Sequence, residues 1–391
     1  MTSTAASVSS GPRRRPRDRK RQILTAARDL FVQKGYPNVS MALIAEQVGI
    51  TAGALYRHFE NKAVLLERVI EDSFSWLDVP IGHVDYDSAV EEVIALVIDR
   101  PYLSDLWTHE TRYLPEEKRS DLRRRMRTWN ESLTPALRGR RPDLDPGQME
   151  LLVWSVQSMI SCIGRQALHS PVAERVPAVR AGLRALTSAE LVPTGAVVDR
   201  RPRRLLPNSM RERLLLAAFE QFSERGFQDT SMASLGAAVD VTGPNLYSYF
   251  ESKADLLRAV LDRGTHALWL GLDHALATST DPAEAISKLT RSYVAMARHW
   301  ASSVEDPRGQ YNLEEPVRAF QREYIAEWVT LLVQARPEMS PRRARLRVQL
   351  GLFLVADLYS NPRLTRIETF QENVAALVLA ILFDRSATDT P

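Results

Sequence analysis

With 391 residues, 45% of them hydrophobic and 25% charged, the chain is long enough for two or more domains with full cores, and its composition excludes a disordered or fibrous protein. A single cysteine, Cys162, excludes an intrachain disulfide. The longest apolar run, Val374 to Phe383, is too short to span a bilayer, and no signal-peptide pattern opens the sequence, so a cytoplasmic protein without a membrane partner is expected. Net charge is only +3, yet residues 1–70 hold 12 Lys+Arg against 5 Asp+Glu and residues 200–261 hold 9 against 7, which leaves the remainder net negative. Basic charge is concentrated in two places.

Those two places are copies of each other. A shift of 191 residues superposes Phe31 on Phe222, Gly35 on Gly226, Tyr56 on Tyr247, Phe59 on Phe250 and Lys62 on Lys253, with 19 of 53 positions identical from Asp18 to Ile70. A register kept over so many positions marks an internal duplication.

In chain order, residues 1–17 form a basic arm whose Arg13, Arg14, Arg15 and Arg17 are suited to DNA phosphates or a neighbouring minor groove, a solvated tail being the plainer reading. The arm leads into a first domain, 18–64. A leading helix carries Ile23, Leu24, Ala27 and Phe31 and breaks at Gly35-Tyr36. Ser40 is placed to cap a helix over Met41 to Gln47, Gly49 sits in a tight turn, and Thr51 is placed to cap the next short helix. Val48, Leu55 and Phe59 recur at helical spacing on one side, while Ala52, Gly53, Tyr56 and Arg57 stand on the other, followed by His58 and Lys62. The pattern is a helix-turn-helix whose second helix is placed to enter a DNA major groove.

These residues resemble the TetR family of bacterial transcriptional regulators. The resemblance implies that Thr51, Tyr56, His58 and Lys62 touch DNA phosphates, that Ala52, Gly53 and Arg57 face the bases, and that Ser40 belongs to the same surface. Carried to the second copy, 209–255, the group is Ser231, Thr242, Tyr247, Tyr249 and Lys253, with Gly243, Pro244 and Ser248 facing the bases. Pro244 stands where the first copy has Gly53, and Asn245 where it has Ala54, so the two readers differ.

The remainder reads as helices. A long helix is expected from Asn61 to Leu77, and after Pro80-Ile81-Gly82 come Ser88 to Asp99, Tyr102 to Tyr113, Glu116 to Leu137, Gly147 to Leu168 and Val172 to Leu186, with prolines at the breaks. They make a first helical domain, 65–189, of the kind the family uses for ligand binding and dimerisation. A Pro- and Arg-rich linker, 190–208, precedes the second reader and a second helical domain, 256–391. Even these domains echo each other: Arg141-Pro142-Asp143-Leu144-Asp145-Pro146 is matched by Arg336-Pro337-Glu338-Met339-Ser340-Pro341. The expected fold is all-α, two tandem TetR-like modules.

No metal-ligand spacing, nucleophile elbow or phosphate-binding glycine loop occurs, so no enzyme, cofactor or metal is expected. Aromatic and flexible apolar residues in the middle helices are each most simply core, but as a set they suit an apolar ligand cavity. They are Tyr102, Trp107, Met126, Trp129, Trp154 and Met159 in the first half, and Tyr293, Met296, Trp300, Tyr324, Trp328 and Phe353 in the second. The run Arg112-Tyr113-Leu114-Pro115 and the Arg-rich helix after it resemble the actinobacterial members that sense acyl thioesters or other lipid metabolites, and the tandem layout is similar to members controlling lipid-uptake operons. That implies operator DNA and a small apolar or acyl-CoA-like effector as partners. If residues 147–186 pack on residues 341–383, one chain forms an intramolecular pseudo-dimer; the competing arrangement is a homodimer with four readers. A sensor or scaffold whose readers no longer bind DNA is the reading from another class.

Overall fold

The computed structural model describes residues 16–83, 85–194, 205–227, 230–241, 243–297 and 315–384, and among them every regular element is helical. Arg13, Arg14, Arg15, Thr242 and Trp300 lie outside the described residues, as does most of the linker.

Eighteen helices are named here in chain order among the described residues. The first reader is α1 Pro16–Lys34, α2 Met41–Val48, α3 Ala52–Tyr56 and α4 Lys62–Ser73. The helices of the first half follow: α5 Tyr86–Asp99, α6 Tyr102–Asp105, α7 Glu116–Glu131, α8 Thr134–Arg140, α9 Pro146–Ser161 and α10 Val172–Ser188. The second reader is α11 Met210–Arg225, α12 Met232–Ala237 and α13 Gly243–Tyr247, and α14 Lys253–Thr278 leads into α15 Pro282–Ala297, α16 Glu315–Ala335, α17 Pro341–Tyr359 and α18 Phe370–Phe383.

Several expected helices are shorter than periodicity suggested. The helix from Asn61 stops at Ser73 and continues as a 3-10 turn over Ser75–Asp78. Glu116 to Leu137 is two helices, because Pro135 sits in the first turn of α8, where a missing N–H costs nothing, and so marks a fresh start. The apolar run from Gly147 ends as a helix at Ser161, and Gln166–Leu168 is a separate 3-10 turn. Tyr102 to Tyr113 is not one piece: α6 gives way to a π-helical turn, Leu106–Glu110, and a 3-10 turn, Thr111–Tyr113.

The chain divides into two compact units. The first runs up to Asp78 and adds Asp105–Arg123; the second takes Val79–Ser104 and everything from Arg124 onward. In the first unit, α1 packs on α2, on α4 and on the π-helical turn, around Ile23, Phe31, Ile44, Leu55, Leu65 and Leu66, all essentially closed to solvent.

In the second unit, α9 and α10 pack against each other and against α17 and α18. These contacts join helices of the first half of the chain to helices of the second. The second reader closes on Leu214, Ala218, Phe222, Leu235, Leu246, Phe250 and Leu256. Its exit helix α14 is unbroken for 26 residues, roughly 39 Å, whereas α4 stops after 12.

Candidate nucleic-acid interface

Each reader is built from the same local parts. Ser40 Oγ accepts from Leu43 N at 3.1 Å and Ser231 Oγ from Ser234 N at 3.0 Å, so both serines cap their helix. Thr51 Oγ1 accepts from Ala54 N at 3.2 Å and caps α3. Before the second helix of each reader the chain turns through Gly35 (φ 78°) and Gly226 (φ 84°).

The turn between α2 and α3, and that between α12 and α13, passes through a left-handed residue, Gly49 (φ 71°) and Asp240 (φ 60°). Each is followed by a residue donating back into the preceding helix, Ile50 N to Ala45 O and Val241 N to Gly236 O, both at 2.9 Å. The turn tolerates aspartate because its short polar side chain pays less for this backbone than a bulky one.

The front of α3 is open. Thr51, Ala52, Gly53, Arg57 and His58 are exposed, and Tyr56 is 52% exposed although Leu55 beside it is fully buried. In the second reader Tyr247 is 54% and Tyr249 42% exposed, and Ser248 is exposed with its hydroxyl donating to Asn245 O at 2.6 Å. Gly243 and Pro244 open α13. Arg17 falls within α1.

Lys62 and Lys253 are each engaged inside their reader. The Lys62 amine donates to Tyr36 O at 2.9 Å and sits 4.2 Å from the centre of the Tyr36 ring, and burial holds its pKa below the usual lysine value. Lys253 repeats this, donating to Phe227 O at 2.7 Å and Thr230 O at 2.9 Å with its amine 4.4 Å from the Phe227 ring. Both lysines tie the start of the exit helix to the break after the leading helix, a cation over an aromatic face. The pattern extends to Phe31 against Tyr36 and Phe222 against Phe227, both at 5.5 Å, and to Lys20 over Phe59 and Arg211 over Phe250.

Position 36 is a structural residue that spacing alone did not single out; its signal was the aromatic recurring one step after each glycine. Its backbone N–H also donates to the Glu110 carboxylate at 2.9 Å, and its ring lies 5.0 Å from that of Tyr113. The π-helical segment thus holds on to the first reader within the first unit. π-Turns are rare and concentrate where a helix does something besides pack.

The candidate ligand residues of the first half are divided between the two units. Trp107 packs edge-on against Phe74 in the first unit, whereas Met126 and Trp129 are buried in the second, where Trp129 Nε1 donates to Val79 O at 3.1 Å. Tyr102 and Trp154 are half-buried.

In the second half Tyr293, Tyr324 and Trp328 do come together, with ring centres 5.9 and 6.3 Å apart in sequence along the cluster. Trp269 of α14 meets Tyr324 at 5.9 Å. Phe353 lies instead under the Arg165 guanidinium, 4.7 Å from its ring centre. Among the described residues, the Tyr324 hydroxyl, Trp328 Nε1 and Thr290 Oγ1 are buried without a hydrogen-bond partner. Burial pushes the Tyr324 phenol up, and the nearby Trp328 N–H acts in the opposite direction.

No group of metal-ligating side chains occurs among the described residues, and none of their helices is long and apolar enough to cross a membrane.

Comparison with known proteins agrees with this geometry. The family described as bacterial regulatory proteins, tetR family, matches residues 23–69 and 214–260. The HTH-type transcriptional activator FasR of Mycolicibacterium smegmatis is 32% identical over 129 residues, which cover 33% of this chain and 53% of that protein. The HTH-type transcriptional repressor KstR2 of the same organism is 34% identical over 62 residues, 16% of this chain and 30% of that protein. The chain thus spans about half the length of the first curated relative and less of the second. Among solved structures, the ketosteroid transcriptional regulator KstR2 of Mycobacterium tuberculosis aligns over 47% of this chain and 97% of its own, at 19% identity and a TM-score of 0.36.

Proposed function

The two helix-turn-helix units belong to the tetR family of bacterial regulatory proteins, and from that premise we propose that one chain acts as a DNA-binding transcriptional regulator with two non-identical readers. The observation that carries the proposal is the contrast between the backs and fronts of the readers. Caps, turns, ring contacts and the inward lysine are kept in both copies, whereas the open faces differ, Arg57 against Ser248 and Ala54 against Asn245.

Thr51, Tyr56 and His58, with Tyr247 and Tyr249, are read as phosphate contacts, and Ala52, Gly53, Arg57, Gly243, Pro244 and Ser248 as base-facing. The packing of α9 and α10 on α17 and α18 supports a pseudo-dimer within one chain, in the proposed order of arm, reader, helical domain, linker, reader, helical domain.

The test is the mass of the protein–DNA complex on a minimal operator, together with selection from a library randomised in each half-site. One 44.1 kDa chain on a non-palindromic site is the expected result. Two chains on a palindrome, or no sequence-selective binding, overturns it.

Control by an apolar effector is read from the second half. The α14 helix carries Lys253 at its start and Trp269 in the aromatic cluster, so a ligand that moves those rings pulls on the second reader. Lipid metabolism or transport is the setting proposed, from the resemblance of the sequence to members that sense lipid metabolites; of the two curated relatives, one is named an activator and the other a repressor. Repression released by the effector is the reading adopted here, tested by loss of operator binding in a panel of apolar metabolites and their coenzyme A thioesters.

A further inference from the structure

The surface that joins the two halves is polar in an unequal way. Arg165 Nη2 donates to both carboxylate oxygens of Asp357, at 2.5 and 2.6 Å, and Ser158 Oγ donates to Asp357 Oδ2 at 2.5 Å. The arginine is 6% exposed. Its guanidinium also covers Phe353.

The turn that presents Arg165 is held on several sides. Arg175 Nη1 donates to Ile163 O and Arg165 O, both at 2.8 Å, and Ser104 Oγ donates to Ser161 O at 2.6 Å. Gly164 leaves no room for a Cβ, which would lie 2.4 Å from Pro101 O.

The halves superpose on each other at a shift of 195 residues, which places Arg141 on Arg336 and the opening proline of α9 on that of α17. Contacts obey the same shift: Arg141 Nη1 donates to Ala189 O at 2.9 Å, and Arg336 Nη1 to Asp384 O at 2.5 Å. Under it, Asp357 corresponds to Cys162, Arg165 to Ser360 and Ser158 to Phe353. The symmetry mate of the ion pair is therefore a cysteine and a serine.

Other links are one-sided too. Glu150 and Glu174 of the first half meet Arg363 at 3.3 Å and Arg342 at 2.6 Å of the second. Asn373, fully buried, accepts from Val192 N at 2.7 Å and donates to Val192 O at 2.9 Å.

We propose that the Arg165–Asp357 pair is a pairing lock, which fits an α9 face to an α17 face and neither face to a second copy of the same face. Two α9 faces brought together would set each Arg165 against Cys162 and no carboxylate. Two α17 faces would set each Asp357 against Ser360 and a phenylalanine ring. Removing a buried charge from its partner is strongly unfavourable, whereas in the matched pair both carboxylate oxygens of Asp357 accept hydrogen bonds. Polar groups of this kind fix which surfaces meet more than how tightly they meet.

The lock rests on the one-chain reading above, and the experiment separates the two. In the full-length protein, Asp357→Arg and Arg165→Asp are compared with the chain carrying both changes, by light-scattering mass and thermal unfolding without DNA. Each single change is expected to lower Tm by about 5 °C or more and to make the mass rise with concentration above 44.1 kDa, as unsatisfied halves seek other chains. The exchanged pair is expected to restore a concentration-independent single-chain mass and most of the lost Tm.

Should the single variants not accumulate as folded protein, folding of the exchanged pair alone supports the lock. Single variants that match wild type in mass and Tm, or an exchanged pair no better than they are, overturn it. A wild-type complex with two chains on a minimal operator would sink the one-chain reading while leaving the exchange result standing.

Discussion

The amine of Lys62 donates to the carbonyl of Tyr36 across 26 residues of sequence, and Lys253 makes the equivalent bond to Phe227. The family resemblance implies a phosphate contact for a lysine at this place. Its geometry makes it first a brace inside the reader.

Lys62→Met keeps the apolar stem and removes the donors. Losing charge-assisted hydrogen bonds and the contact with the ring is expected to cost the first reader roughly 1–3 kcal/mol, seen as a lower melting temperature for that unit. The slope of log affinity against log salt should change by less than the roughly 0.9 expected for a lost phosphate contact. A full unit of slope lost with no loss of stability would return the lysine to the DNA.

Arg57 and Ser248 occupy matching places just after α3 and just after α13, and only the arginine can donate two hydrogen bonds to a guanine edge. Arg57→Ala should therefore relax base preference in one half-site by about 1–3 kcal/mol and leave the other unchanged. Selection from a library randomised in both halves reads this directly, and an equal loss in both halves would mean that readers act in pairs between chains.

Asp240 holds φ 60° where the first reader has Gly49 at φ 71°. Asp240→Gly relieves that backbone at some cost in unfolded-chain entropy, so the second reader should gain up to about 1 kcal/mol. Gly49→Ala should cost the first reader about 1–2 kcal/mol. Denaturant midpoints of the two variants moving in the same direction would contradict the assignment.

Tyr324 carries a buried hydroxyl with no partner beside Trp328. Tyr324→Phe is expected to leave the protein as stable as before or more so, by up to about 2 kcal/mol, and to abolish release from the operator by an apolar effector bearing an oxygen. A large loss of stability instead would show the hydroxyl to be part of the core network.

By itself the sequence determined the duplication, the helical class and the capping of both readers, because these are local. Ser40 and Thr51 cap because a hydroxyl precedes free N–H groups, Gly35 and Gly226 turn because φ must be positive there, and Leu55 and Phe59 share a face through helical spacing.

Only the tertiary structure decided where long side chains end. Lys62 reaches a carbonyl 26 residues away, Glu110 holds Tyr36 from 74 residues away, and Arg165 finds Asp357 at a separation of 192. Phe353, expected from sequence to suit a ligand cavity, lies beneath that arginine. Periodicity fixes which face a residue occupies, but the partner of a charge depends on what the folded chain brings to that face, and a buried charge is stable only where it meets one.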